Sequence, residues 1–174
     1  MPTPNQQKLD KVVNSLEKVS AETKKMVFNM ANSMTDMEVV QSFNQTALDL
    51  FNLLVQITTR MNKENEYKVG GYKLLFDNAV KLNKKMPIDQ FTLVILEFAA
   101  EIYDEDENCF LKMTIPDAKL EVGNEFNLIR SEMFKKLWVT LVNKDKSDVK
   151  DKVILLTTFA HVYLYQTLLK NNKK

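Results

Sequence analysis

From Val153 to Leu169 the chain runs for seventeen residues without a formal charge, with lysines on both flanks, and such a run has to be buried somewhere. It could span a bilayer, wall a site built around His161, the chain's single histidine, or fill the core of a soluble fold. A spanning helix needs about 20 predominantly apolar residues. This run is shorter, and it contains Thr157, Thr158, His161, Gln166 and Thr167. A central histidine and a glutamine are costly in hydrocarbon. At about 100° per residue, Thr158, His161 and Tyr165 share one narrow stripe. Val153, Leu155, Leu156, Phe159, Ala160, Val162 and Tyr163 fill the opposite half. The run is expected to be a buried core helix with one thin solvent-facing edge, and no transmembrane anchor is expected.

Three glycines and four prolines in 174 residues leave few places for tight turns or bulges, which favours long helices over short strands. Periodicity agrees. Leu9, Val12, Val13, Leu16 and Val19 form one helical stripe, and Met26, Val27, Met30 and Met34 continue it after a break near Ser20. Thr35 and Glu38 in "TDME" have capping-box spacing ahead of a helix over 36–61, whose face is Val40, Phe43, Ala47, Leu50, Phe51, Leu54 and Ile57. "NKENEYKVGG" reads as a loop, and Tyr72 to Leu82 as a helix that stops before Pro87. "PIDQFTLVILEFAAEIY" reads as one apolar helix opened by proline, where the missing N–H costs nothing. Asp104 is placed as the cap of a short turn running to Phe110. Met113 to Asn127 is the least regular stretch, with "AKLEV" a short extended piece. Phe134, Leu137, Trp138, Leu141 and Val142 mark a helix; "NKDKSD" then reads as a loop in which Ser147 caps the final helix.

The fold expected is all-α: a single domain over 1–174, a bundle of about seven helices with a buried hydrophobic C-terminal helix. Residues 1–6 are expected to be a flexible arm, with neither the apolar core of a secretory signal nor the arginines of a transit peptide.

Candidate chemistry is sparse. His161 is the natural suspect for acid–base work, but its expected edge position among threonines and a tyrosine suits a hydrogen bond to Thr158 or water, with no nucleophile or orienting group in sight. Asp104, Asp106 and Asn108 match the first ligand positions of a calcium-binding EF-hand loop. The match then fails, with Cys109 where the turn glycine belongs and Ile115 where the bidentate glutamate belongs. Zinc needs several Cys or His ligands, and the chain has one of each. "VGGYK" lacks the Gly-Lys-Ser/Thr of a phosphate-cradling loop. No catalytic, cofactor-binding or metal-binding residue is therefore assigned. Cys109, being alone, cannot close an internal disulfide, and the nine methionines are expected mostly in the core. Net charge is only +1, so no global field draws nucleic acid. Its distribution is dipolar: a net of −7 between Glu97 and Glu125, and of +6 from Arg130 onward. Such faces can meet matched partners. Only one arginine lies in the basic part, which argues against base readout.

"MPIDQFTLVILEFAAEIYDEDENCFLKMTIPD", with "GNEFNLIRSEMFKKLW" and "VKDKVILLTTFAHVYL" further on, resembles small all-helical proteins encoded by large nucleocytoplasmic DNA viruses, over residues 85–169. That resemblance implies a non-enzymatic structural or protein-interaction protein, associated with the virion or its assembly and located in the host cytoplasm or the particle. Its partners would be other proteins, through self-association or a viral or host target, with no cofactor and no specific nucleic acid. The chain's length and helicity are also similar to those of poxviral Bcl-2-like proteins. This alternative implies a helical module that captures host signalling or death-pathway partners in a groove. The Asn-Trp-Gly-Arg motif of cellular members is absent, however, and Trp138 in "KKLWVTL" has no neighbouring glycine.

Overall fold

The computed structural model describes residues 4–67, 69–106 and 131–172, and its regular structure is entirely helical. In chain order the helices are α1 (Pro4–Glu17), α2 (Ala21–Ser33), α3 (Asp36–Arg60), α4 (Glu64–Tyr67), α5 (Val69–Leu82), α6 (Met86–Leu96), α7 (Ala99–Tyr103), α8 (Ser131–Thr140) and α9 (Asn143–Asn172). They form an all-α, single-domain bundle. α9 lies along α3 and also packs against α2, α6 and α7, while α1 crosses α6 and α7, and α5 bridges α3 and α6.

Local chemistry sets most boundaries. α1 begins at Pro4, inside the stretch expected as an arm, because proline is pre-shaped for a first turn. Ser20 ends the break after α1 and caps α2 by accepting the Thr23 N–H at 3.2 Å. The capping box of α3 is present: Thr35 Oγ1 accepts the Glu38 N–H and Glu38 Oε1 accepts the Thr35 N–H, each at 3.1 Å. The far end of α3 closes with Asn62 at a φ of 57°. There the Lys63 N–H reaches the Thr58 carbonyl and the Asn62 N–H that of Thr59, a Schellman closure of otherwise orphaned carbonyls. α7 ends the same way around Glu105, at a φ of 56°, with Asp106 donating to Glu101 and Glu105 to Ile102.

Further boundaries differ from expectation. The anticipated loop "NKENEYKVGG" is helical over Glu64–Tyr67 (α4) and from Val69 onward (α5), with Asn62 and Lys63 in the turn that closes α3; Tyr67 and Val69 are both buried and anchor the stretch to the core. "NKDKSD" belongs to the first turns of α9, with Asp145 buried there and paired with Arg60 Nη2 at 3.3 Å, so Ser147 lies within the helix rather than capping it. The apolar stretch after Pro87 is two helices, not one. Phe98 leaves helical geometry at φ −113°, ψ 17°. The Ala100 N–H is then satisfied from another helix by Ser15 Oγ at 3.2 Å. Small Ala99 and Ala100 allow that approach. Asp104, expected to open a turn, ends α7 instead as its C-cap. The remainder of that turn, Met113 to Asn127 and "AKLEV" lie outside the described residues.

The core gathers the anticipated stripes. Val12, Val27, Val40, Ile57, Ile88, Leu96, Val149 and Val162 are fully buried, with Phe43 and Trp138 nearly so. Burying each such side chain is worth about 1.5–3 kcal/mol. Val13 and Val142, assigned to apolar faces, are exposed instead. Met30, Met34, Met61 and Met86 pack against the core, whereas Met26 and Met37 face solvent.

Candidate functional site

The polar residues of α9 form the only histidine-centred cluster, and its placement corrects the expectation of a wet edge. His161 is 0% exposed and Thr158 is buried with it. Leu155, assigned to the buried half, is 42% exposed. The reason is packing. α9 is covered by four helices, so its orientation follows the fit of its bulkier residues rather than the polarity of one stripe. Threonines tolerate this because they satisfy themselves: Thr157 Oγ1 donates to the Val153 carbonyl at 2.7 Å and Thr158 Oγ1 to that of Ile154 at 2.8 Å.

His161 Nδ1 lies 3.3 Å from the Tyr103 hydroxyl of α7, not in a hydrogen bond with Thr158. The Tyr165 ring meets the imidazole edge-on, with centroids 4.6 Å apart. Nε2 is buried without a hydrogen-bond partner. Burial first, and the Lys24 charge second, push the imidazole pKa down to about 4, so the ring is neutral at physiological pH. Burial likewise raises the Tyr103 hydroxyl to about 12; the hydrogen-bonding Thr158 side chain opposes that and the Tyr165 charge adds to it. A neutral imidazole sealed from solvent, facing two un-ionised phenols, can fix the register of α7 against α9.

Other polar groups of α9 also act as structural ties. Gln166, which in sequence looked only like a cost to membrane insertion, donates its amide to the Met34 carbonyl at 2.8 Å and to that of Ala31 at 3.3 Å, closing the end of α2. The Tyr163 hydroxyl donates to Asp89 of α6. Burial, then the hydrogen bond and charge of Asp89, raise that phenol to about 12. Neither tie could have been found from sequence, because each partner is more than seventy residues away.

Of the weighed calcium loop, Asp104 and Asp106 are described and Asn108, Cys109 and Ile115 are not. Among the described residues no group of three or more His, Cys, Asp or Glu side chains could hold a metal ion. Gly70 and Gly71 lie within the first turn of α5. Among the described residues no helix is long and apolar enough to cross a membrane. Of the nine acids between Glu97 and Glu125, five lie within the described residues, up to Asp106, and of these Glu97 pairs with Lys11 of α1 at 3.7 Å.

No protein-family model and no solved structure matches the chain. "Uncharacterized protein R465" of Acanthamoeba polyphaga mimivirus is 56% identical over 168 residues, covering 97% of this chain and 93% of the viral protein. The chain belongs to that protein's family. The resemblance to helical proteins of large nucleocytoplasmic DNA viruses is therefore borne out, and it extends beyond residues 85–169 into the N-terminal helices. Identity at this level over nearly the full length carries the same helical bundle to the mimivirus protein.

Proposed function

We propose that this is a non-enzymatic, virally encoded helical protein that works by binding other proteins in virion structure or assembly, in the host cytoplasm or the particle. The burial of His161 carries this reading. The chain's only side chain with an ordinary pKa near neutrality is spent on internal packing. Exposed apolar residues add support. Val139 and Val142 at the α8–α9 corner, and Leu74 and Leu82 on α5, are each more than 60% exposed. Large apolar side chains in water favour contact with another protein. A Bcl-2-like capture module is the second reading, favoured by one feature, a central helix wrapped by four others.

One experiment separates the readings. The tagged protein is recovered from infected cells at physiological salt, and co-purifying proteins are quantified by mass spectrometry. Virion or assembly proteins at constant stoichiometry are expected; host signalling or death-pathway proteins in their place would favour the capture module. Recovery of the protein alone, together with a turnover that His161→Ala abolishes without unfolding the chain, would overturn both.

A further inference from the structure

Away from the histidine cluster, α3 and the α5–α6 connection frame an open trough of about 640 Å³ whose lining includes Glu38, Ser42, Asn44, Gln45, Val80 and Lys84. Asn44 is 8% exposed, and its amide orientation is fixed because Nδ2 donates to the Lys84 carbonyl at 2.9 Å. That leaves Oδ1 as a buried acceptor without a partner, a costly arrangement in a protein interior. Gln45 repeats the pattern one residue on. Its Nε2 donates to Asp49 Oδ1 at 3.0 Å, so the carbonyl oxygen is what remains to offer. Glu38, one turn and a half earlier on α3, is held in place by Thr35, whose backbone N–H and hydroxyl keep its carboxyl below the usual range and hence ionised. A carboxylate has acceptor sites beyond the single bond this takes.

The amide donors of Asn44 and Gln45 are thus consumed internally, which leaves acceptors among the trough's lining residues. We propose that the trough is a docking site for an arginine side chain of a partner protein. A guanidinium brings five donors in a planar fork and no acceptor, which complements acceptors that are several and spread out. The trough is open rather than enclosing, so it suits a group delivered on a larger partner better than a free metabolite, which pockets normally surround. Among the described residues Lys84 is the one cation in the lining. It is exposed, and its flexible stem can swing outward. Asn44 Oδ1 has no solvent access of its own, so a guanidinium reaches it only when side chains around it shift. This inference rests on the protein-binding role proposed above and names the chemistry of one contact.

The test is a titration of the full chain with the peptide acetyl-Gly-Arg-Gly-amide, followed through the side-chain amide signals of Asn44 and Gln45 in nitrogen–proton NMR. The same peptide with norleucine for arginine is the control. Saturable shifts confined to these amides are expected with the arginine peptide, with binding at least several-fold weaker for norleucine. Glu38→Gln keeps the capping box, since glutamine serves at that position, but removes the charge; it should weaken binding several-fold while leaving the fold intact. Equal shifts from both peptides, no shift at these amides, or undiminished binding by Glu38→Gln would each overturn the proposal. Failure here leaves the co-purification result standing, because partners could dock elsewhere. Failure of the co-purification with a positive titration would remove the assembly role and keep the site.

Discussion

The two longest helices solve burial in opposite ways. α3 is two-sided: a capping box opens it, a stripe from Val39 to Ile57 enters the core, and Gln41, Gln45 and Asn52 face water. α9 is the helix the others wrap around, and it buries Thr157, Thr158, His161 and Gln166 along with Leu156, Ala160 and Val162. On α3 polarity mostly marks the solvent side, with Asn44, Thr46 and Thr58 the buried exceptions. On α9 it does not, because each buried polar side chain makes at least one contact with the helix's own backbone or a neighbour, even though His161 Nε2 and Gln166 Oε1 are left without one. Polarity reports exposure only where a helix has an exposed side.

The comparison breaks most sharply at the aromatic anchors. Phe43→Ala on α3 should destabilise by about 3–5 kcal/mol, as truncation of buried aromatics does. Trp138→Ala at the α8 end should fall in the same range, since Trp138 is nearly fully buried. Phe159 on α9 is only partly buried and should cost clearly less than either. Urea unfolding of the three variants gives the order directly. Phe159→Ala as costly as Phe43→Ala would mean that α9 is turned the other way in its sheath.

His161 supplies the next effect. Its folded pKa, about 4, lies below the ordinary 6.5, so the unfolded chain binds the extra proton between those values. Stability is therefore full above pH 6.5 and falls as pH drops toward 4, losing about 2 kcal/mol by pH 5. The charges and hydroxyls facing it are Lys24, Tyr103 and Tyr165, and burial raises both phenols further above that window. His161→Leu should flatten the slope. With a buried, unpartnered Nε2 removed, its stability at pH 7 should lie near that of the native chain. An unchanged slope in the variant would assign the acid sensitivity to carboxylates instead. On α3 the matching change is smaller: Thr35→Ala removes the capping box and should cost about 1 kcal/mol, measurable as a shift in the urea midpoint at unchanged slope.

What could be anticipated from sequence follows the same division. The capping box, the α3 stripe, the break at Ser20 and the buried C-terminal helix depend on residues within a few positions of one another, so spacing reveals them. The Ser15 bond that completes α7, the Arg60–Asp145 pair that lets α9 begin at Asn143, and the His161–Tyr103 contact join residues 85, 85 and 58 apart. No local pattern encodes such pairings. The trough is the same kind of feature, since Asn44 gains its meaning only from the Lys84 carbonyl 40 residues later.

The smallest effect tests the most surprising local correction, the helical state of "VGG". Gly70 and Gly71 were natural loop residues, yet both sit in the first turn of α5, where a Cβ on either would meet nothing within 4 Å. Neither has a left-handed φ, since the positive-φ exceptions are Asn62 and Glu105 and no such value accompanies the glycines. In a helix interior alanine is better than glycine by about 1 kcal/mol, largely because glycine has more backbone freedom to lose on folding. At a first turn, where fraying returns part of that freedom, Gly71→Ala should stabilise by about 0.5 kcal/mol. A small rise in thermal midpoint is the expected result, opposite in sign to the alanine truncations above. A fall would mean that the backbone at this position needs a conformation only glycine reaches, and that "NKENEYKVGG" is a loop in solution after all. Tyr67 and Val69 argue for the rise: both are buried, and a chain anchored at both points has little reason to leave the helix between Val69 and Tyr72.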